Sequence, residues 1–293
     1  MQIDGVFSGG GIKGFALIGA YQVLEERGYS FVRTAGTSAG SIIAAFITAG
    51  YTGKEIEKIM SDAEMDAFLD SRFILKIPLF RWLLLYWKMG LFKGDFLEYW
   101  INDKLAKKGI STFGDLPKNS LRIVASDITN GKLLVIPDDL PNYGINPSTF
   151  SIAKAVRMSC SIPYFFEPVK LRTPSNENLV VDGGVLSNFP MWLFDKENVK
   201  KVRPVIGIKL SGADHERPTK EIDNAFEMFG ALFETMKDAH DSRYISRKHE
   251  KNIIFIPIKG IIGIELHMSD EKKNLLIQQG RQNAEAFLRK WAY

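Results

Sequence analysis

The chain has 293 residues, 45% hydrophobic and 25% charged, a globular mix that can bury a sizeable core. Its one cysteine, Cys160, excludes an internal disulfide and fits a reducing compartment. A formal charge of +4 is too small and too dispersed to argue for nucleic acid, though it suits an anionic membrane surface.

Strand and helix patterns alternate from the start. "MQIDGVF" lacks the basic and apolar regions of a targeting segment and reads as an immediate strand. "IKGFALIGAYQVLEERG" predicts a helix ending at Gly28, "FVRTAGT" a second strand, and "SAGSIIAAFITAG" a helix ending at Gly50. A charged helix runs from Lys54 to about Ala63. The apolar segment "FILKIPLFRWLLLYWKMGLF" follows, broken by Lys76, Pro78, Arg81 and Lys88. Its apolar run is far short of the ~20 residues a membrane span needs. Beyond it come a helix in "GDFLEYWINDKLAKKG", strands in "LRIVASDI" and "KLLVIP", and a helix in "SIAKAVRMSC". Strands in "NLVVDGG" and "RPVIGIKL" precede a long helix from Glu221 to about Glu250. A strand in "NIIFIPI" and a helix from Asp270 to Ala292 close the chain. This alternation predicts an α/β class fold, three layers α/β/α with a mostly parallel central sheet. No internal repeat or long linker is visible, so residues 1–293 are expected to form one domain, with a helical, apolar, lid-like insertion at about 63–95.

The second strand ends in "AGTSAGS", where Gly36 to Gly40 make a G-x-S-x-G. A strand leads in and a helix of small and apolar residues leads out, the context a nucleophile elbow requires. The turn strains the serine, and glycines flank it because side chains there would meet the strand and helix. Ser38 then sits at a helix N-terminus, which favours developing negative charge. The bland alternative is that Ser38 is only an N-cap.

A serine nucleophile needs a base. Of the four histidines, His240 and His249 fall among charged residues of the long helix and His215 in a polar loop. His267, before the last helix, has no signature, and a loop histidine is the favoured reading of it. Asp182 is the better candidate. It ends the strand "NLVVDGG", and active sites of wound sheets collect at the carboxyl ends of strands, where Ser38 also stands. Desolvation would raise a carboxylate from its usual ~3.9 towards a useful base. A lone D-G-G is also compatible with a simple turn.

"GGGIKG", Gly9 to Gly14, matches G-x-G-x-x-G in letters but not the P-loop. A dinucleotide site also wants an acidic residue near the end of the second strand, where this chain has the elbow instead. The oxyanion reading fits better, with Gly10 and Gly11 amides facing the carbonyl oxygen that Ser38 attacks. Lys13 adds positive potential nearby or sits on the helix face.

G-G-G-x-K-G after one strand, G-T-S-A-G after the next and D-G-G late in the chain together resemble the bacterial patatin-like phospholipase family. "AVRMSCSIPYFFEPV" and "DGGVLSNFP" look like it too. Lys13 stands where many members carry arginine. The resemblance implies a Ser–Asp dyad in place of a triad, with Ser38 as nucleophile and Asp182 as base. It implies Gly9, Gly10 and Gly11 as oxyanion hole, and hydrolysis of fatty-acyl esters of phospholipids or other lipids with no metal or organic cofactor.

The segment from Phe68 to Phe96 bears on the substrate. Trp82, Tyr86, Trp87 and Phe92, interleaved with Lys76, Arg81, Lys88 and Lys93, suit the interface of an anionic membrane. A buried hairpin or an oligomer contact is the alternative. The expected location is therefore the cytoplasm, peripheral to the inner membrane face. Cys160 reads as a buried structural thiol. Two other functions compete with the hydrolase: a lipid-binding scaffold with a dormant site, and a nucleotide-binding protein using the Gly9 to Gly14 loop.

Overall fold

The computed structural model describes residues 1–63, 67–69, 85–173, 176–194, 203–211, 222–223, 225–244, 250–258 and 268–291. Most of the predicted insertion, Trp82 included, lies outside the described residues, as do His215, His249 and His267.

The sheet is built outward from β1 (Gln2–Phe7), which pairs parallel with β2 (Ser30–Thr37) on one side and β9 (Val205–Ser211) on the other. β1 is buried from Ile3 to Phe7, as a central parallel strand covered on both faces must be. β10 (Ile253–Pro257) extends the parallel set beyond β9, and β4 (Leu121–Asp127) beyond β2. Beyond β4 the direction reverses. β5 (Lys132–Ile136) returns antiparallel on β4 by a hairpin. β8 (Glu177–Asp182) also pairs antiparallel with β4, and β7 (Val169–Arg172) antiparallel with β8. The predicted mostly parallel sheet is thus parallel through five strands and antiparallel at one side.

Alternate residues of the strands feed two apolar clusters. Ile206, Ile208, Ile254 and Ile256 join the larger one with α1 (Phe15–Glu26), α2 (Ala39–Thr48), α3 (Gly53–Ser61) and α7 (Asp270–Leu288). Val205 and Ile253, one residue out of step, join the smaller one with Phe189, Met191 and Phe194. α1 and α2 are almost wholly buried, which explains why their sequences are apolar all round instead of amphipathic. α3 carries a reciprocal Thr52–Glu55 capping box.

Three helices complete the described set: α4 (Asp95–Ala106), α5 (Ile152–Ser159) and α6 (Ala225–Tyr244). The long helix expected over 221–250 is therefore α6, with 245–249 outside the described residues. Three short strands escape sequence reading, β7 and two others, because three or four residues carry no period. β3 (Gly90–Phe92) and β6 (Tyr164–Phe166) pair across more than seventy residues of chain.

Candidate functional site

The chain leaves β2 at Thr37 and enters α2 at Ala39 with one residue between. That residue, Ser38, has φ 52° and ψ −128°, a conformation that costs a non-glycine residue about 1–3 kcal/mol. The flanking glycines are required by close approach. A Cβ on Gly36 would land on the Gly40 carbonyl, and one on Gly40 would lie 2.6 Å from the Ser8 carbonyl oxygen. The Ser38 N–H donates to Ser159 Oγ at 2.8 Å, and Ser159 Oγ donates to the Val124 carbonyl at 2.6 Å. Thr37 Oγ1 donates to the Ser187 carbonyl at 3.0 Å. Ser38 itself is 6% exposed.

Asp182 reaches the same level by an unexpected route. Thr37 pairs with Val124, and Asp182 with Ala125, one residue further along β4. β5 takes the other edge of β4 over Ile123–Asp127, so β2 and β8 lie along the same edge and meet end to end, which brings Ser38 beside Asp182. The expectation of a shared carboxyl edge needs correction. β8 runs against β2, and the residues meet because β4 outlasts β2 and β8 comes back along the overhang.

The Asp182 carboxyl is 1% exposed. Its Oδ1 accepts from the Gly184 N–H at 2.7 Å, while its Oδ2 is buried without a hydrogen bond among the described residues. Burial pushes this carboxyl up to about 6. The positive charge of Lys237, the Gly184 N–H and the Ser38 hydroxyl oppose the rise. Cys160 is also near, and burial together with the Asp182 charge pushes its thiol up to about 12.

The glycine loop passes the other side of Ser38. A Cβ on Gly9 would lie 3.1 Å from Ser38 Cβ and on top of Asn188 Oδ1. The three glycines are not equivalent. The Gly9 N–H is taken by the Asn188 carbonyl at 3.1 Å, which removes it from the set of free donors. The N–H groups of Gly10 and Gly11, which open a short 3₁₀ turn over Gly11–Gly14, make no hydrogen bond among the described residues. Gly11 has φ +56°, which favours glycine.

Sequence reading missed the contribution of α6. Phe229, Phe233, Lys237 and Asp241 are spaced four apart and so share one face. Phe229 packs edge-on against Tyr164 at 5.0 Å, and the Lys237 ammonium lies 5.5 Å from the Phe233 ring centre. Lys237 Cδ and Asp182 Oδ1 both lie within 3.4 Å of the point where a Gly184 Cβ would stand. Asp241 is buried, paired with Lys209 of β9, and accepts from Asn188 Nδ2 at 3.3 Å. No local pattern in the helix marks these residues. Asn188 alone stood in a stretch, "DGGVLSNFP", that sequence reading singled out.

The expected interfacial residues separate. Tyr86 and Trp87 are 78% and 71% exposed and meet edge-on at 5.2 Å. Phe92 is half-buried in β3, its ring 4.9 Å from that of Phe165. Among the described residues no helix is long and apolar enough to cross a membrane.

The pattern that defines the family described as "Patatin-like phospholipase" matches residues 5–195. An uncharacterized protein, YqhO of Bacillus subtilis, is 57% identical over the whole of both chains. The "probable lipid hydrolase 463L" of invertebrate iridescent virus 6 is 29% identical, over 69% of this chain and 68% of its own. Among solved structures, VipD from Legionella pneumophila superposes with a TM-score of 0.56 at 20% identity, over 99% of this chain and 67% of that one. At that identity the likeness is one of fold.

Proposed function

We propose that this chain, which belongs to the patatin-like phospholipase family, hydrolyses fatty-acyl esters of lipids through an acyl-Ser38 intermediate with Asp182 as base. One observation carries the reading. A buried carboxylate with one oxygen unbonded among the described residues and an acid strength moved towards neutrality stands beside a strained, buried serine. Such a carboxylate is a poor neighbour for stability and a good one for accepting a hydroxyl proton.

In the first half-reaction Asp182 takes the Ser38 proton as Oγ attacks the ester carbonyl. The oxyanion rests on the Gly10 and Gly11 amides, the pair left unbonded by the loop. The alcohol leaves with the proton, and the acyl group stays on Ser38. Water then releases the fatty acid. Exposed Tyr86 and Trp87 beside Lys88 support peripheral contact with an anionic lipid surface.

The test compares wild type with Ser38→Ala and Asp182→Asn on p-nitrophenyl butyrate and on phospholipid vesicles. Both folded variants should lose about 10⁴-fold or more. Full activity in Ser38→Ala would return Ser38 to the role of helix cap and revive the scaffold and nucleotide readings. Replacing Tyr86 and Trp87 by alanine should weaken vesicle hydrolysis and spare the soluble ester. Equal loss on both would remove the interfacial role.

A further inference from the structure

Two buried oxygens at the site make no hydrogen bond among the described residues: Asp182 Oδ2 and Asn188 Oδ1. Asn188 is 4% exposed, so neither the bulk solvent nor a surface partner satisfies it. A buried acceptor left alone costs about 1–3 kcal/mol, so each of the two calls for a donor.

The orientation of the Asn188 amide is not arbitrary. Its NH₂ group faces Asp241 Oδ2, an acceptor, at 3.3 Å. Lys209, buried with Asp241, keeps that carboxylate in place as an acceptor. An amide held this way must turn its oxygen the other way. That oxygen lies on the Gly9 side of Ser38 and also 3.4 Å from the Cβ point of Gly184, the same point that is 2.9 Å from Asp182 Oδ1. Asn188 Oδ1 therefore lies close both to the Gly9 turn beside Ser38 and to the Gly184 turn that holds Asp182.

We propose that Asn188 Oδ1 and Asp182 Oδ2 together hold the water that attacks the acyl-enzyme. The inference rests on the hydrolase reading above and names the residue that commits it to water. One water hydrogen points to each oxygen, which leaves a lone pair for the acyl carbon. As the water oxygen bonds to that carbon, its proton passes to Asp182. The bond between the carbon and Ser38 Oγ then breaks, Oγ recovers the proton from Asp182, and the fatty acid departs. Acylation needs no such water, so Asn188 acts in the second half-reaction alone. Lys209 and Asp241 are positioning residues that fix the amide.

The experiment follows Asn188→Ala in a stopped-flow instrument with p-nitrophenyl butyrate, alongside labelling by a fluorophosphonate. Labelling requires Ser38 and the oxyanion donors but no water. The variant should label within about threefold of wild type, release a burst near one p-nitrophenolate per site, and turn over about 10- to 100-fold more slowly thereafter. Parallel loss of labelling, burst and turnover would reduce Asn188 to scaffolding, and unchanged turnover would discard it. Should the variant not fold, a crystal structure of the wild type decides. A water within about 3.2 Å of both oxygens is expected, and two oxygens bridged by nothing overturn the proposal. A wild type that neither labels nor cleaves any ester would sink the hydrolase reading itself, and the crystal structure would still test the water site.

Discussion

Ser159 holds the nucleophile by the nucleophile's own backbone: its hydroxyl accepts from the Ser38 N–H at 2.8 Å and donates to the Val124 carbonyl at 2.6 Å. One side chain from the end of α5 thus ties the elbow to the neighbouring strand. Ser159→Ala leaves a buried N–H without a partner. It should cost about 1–3 kcal/mol in urea denaturation and slow p-nitrophenyl butyrate hydrolysis by about tenfold. Unchanged stability would show that the elbow stands without this tie.

The Asp182 carboxyl sets an acid limb. With the group pushed up to about 6, kcat/KM on a neutral ester should fall tenfold per pH unit below that point. A pH–rate profile of the wild type checks it, and a limb near pH 4 would show that burial does not raise this carboxyl in the working enzyme.

The same carboxyl works against stability. A folded-state value raised above the unfolded one near 3.8 gives stability that is complete below that value and lost as pH rises through about 6. Charging this group costs roughly 3 kcal/mol by pH 8. Asp182→Asn should therefore be the more stable protein at pH 8, with the advantage gone near pH 4. Denaturation curves at the two pH values test the sign.

Lys237 opposes the burial of Asp182 from across Gly184 and makes no ion pair of its own among the described residues. Lys237→Gln should move the acid limb to higher pH and leave the rate at pH 9 unchanged. Cys160 faces the same carboxyl, is buried, and should resist iodoacetamide in the native state and react in guanidinium. An unmoved limb in Lys237→Gln would place its charge outside the working range of the base.

Two glycines should fail differently. A Cβ on Gly40 meets the backbone of Phe7 and Ser8 in the central strand, which has nowhere to go. Gly40→Ala should cost about 3 kcal/mol or more. A Cβ on Gly10 meets only the tip of the Leu210 side chain, which can turn aside. Gly10→Ala should stay folded and lose about 100-fold in ester hydrolysis as the free amides shift. Thermal denaturation beside activity separates the two outcomes.

Much of this site was legible in local sequence because it is made of turns. A serine between Gly36 and Gly40, three glycines before a helix, and an aspartate ahead of Gly183 and Gly184 are short-range features, since the backbone conformations they permit are local. The alternation of strands and helices, and hence the α/β class, was legible for the same reason: period and composition are carried by neighbouring residues. What depends on distant pairing was hidden. The reversal of β8 against β4, the loss of the Gly9 amide to Asn188, and the face of α6 that brings Lys237 and Asp241 to the site each join segments tens to hundreds of residues apart. By itself the sequence determined which residues could do the chemistry. Only the tertiary structure decided which of them share one buried, poorly solvated space, because burial and charge act through distance in space and not along the chain.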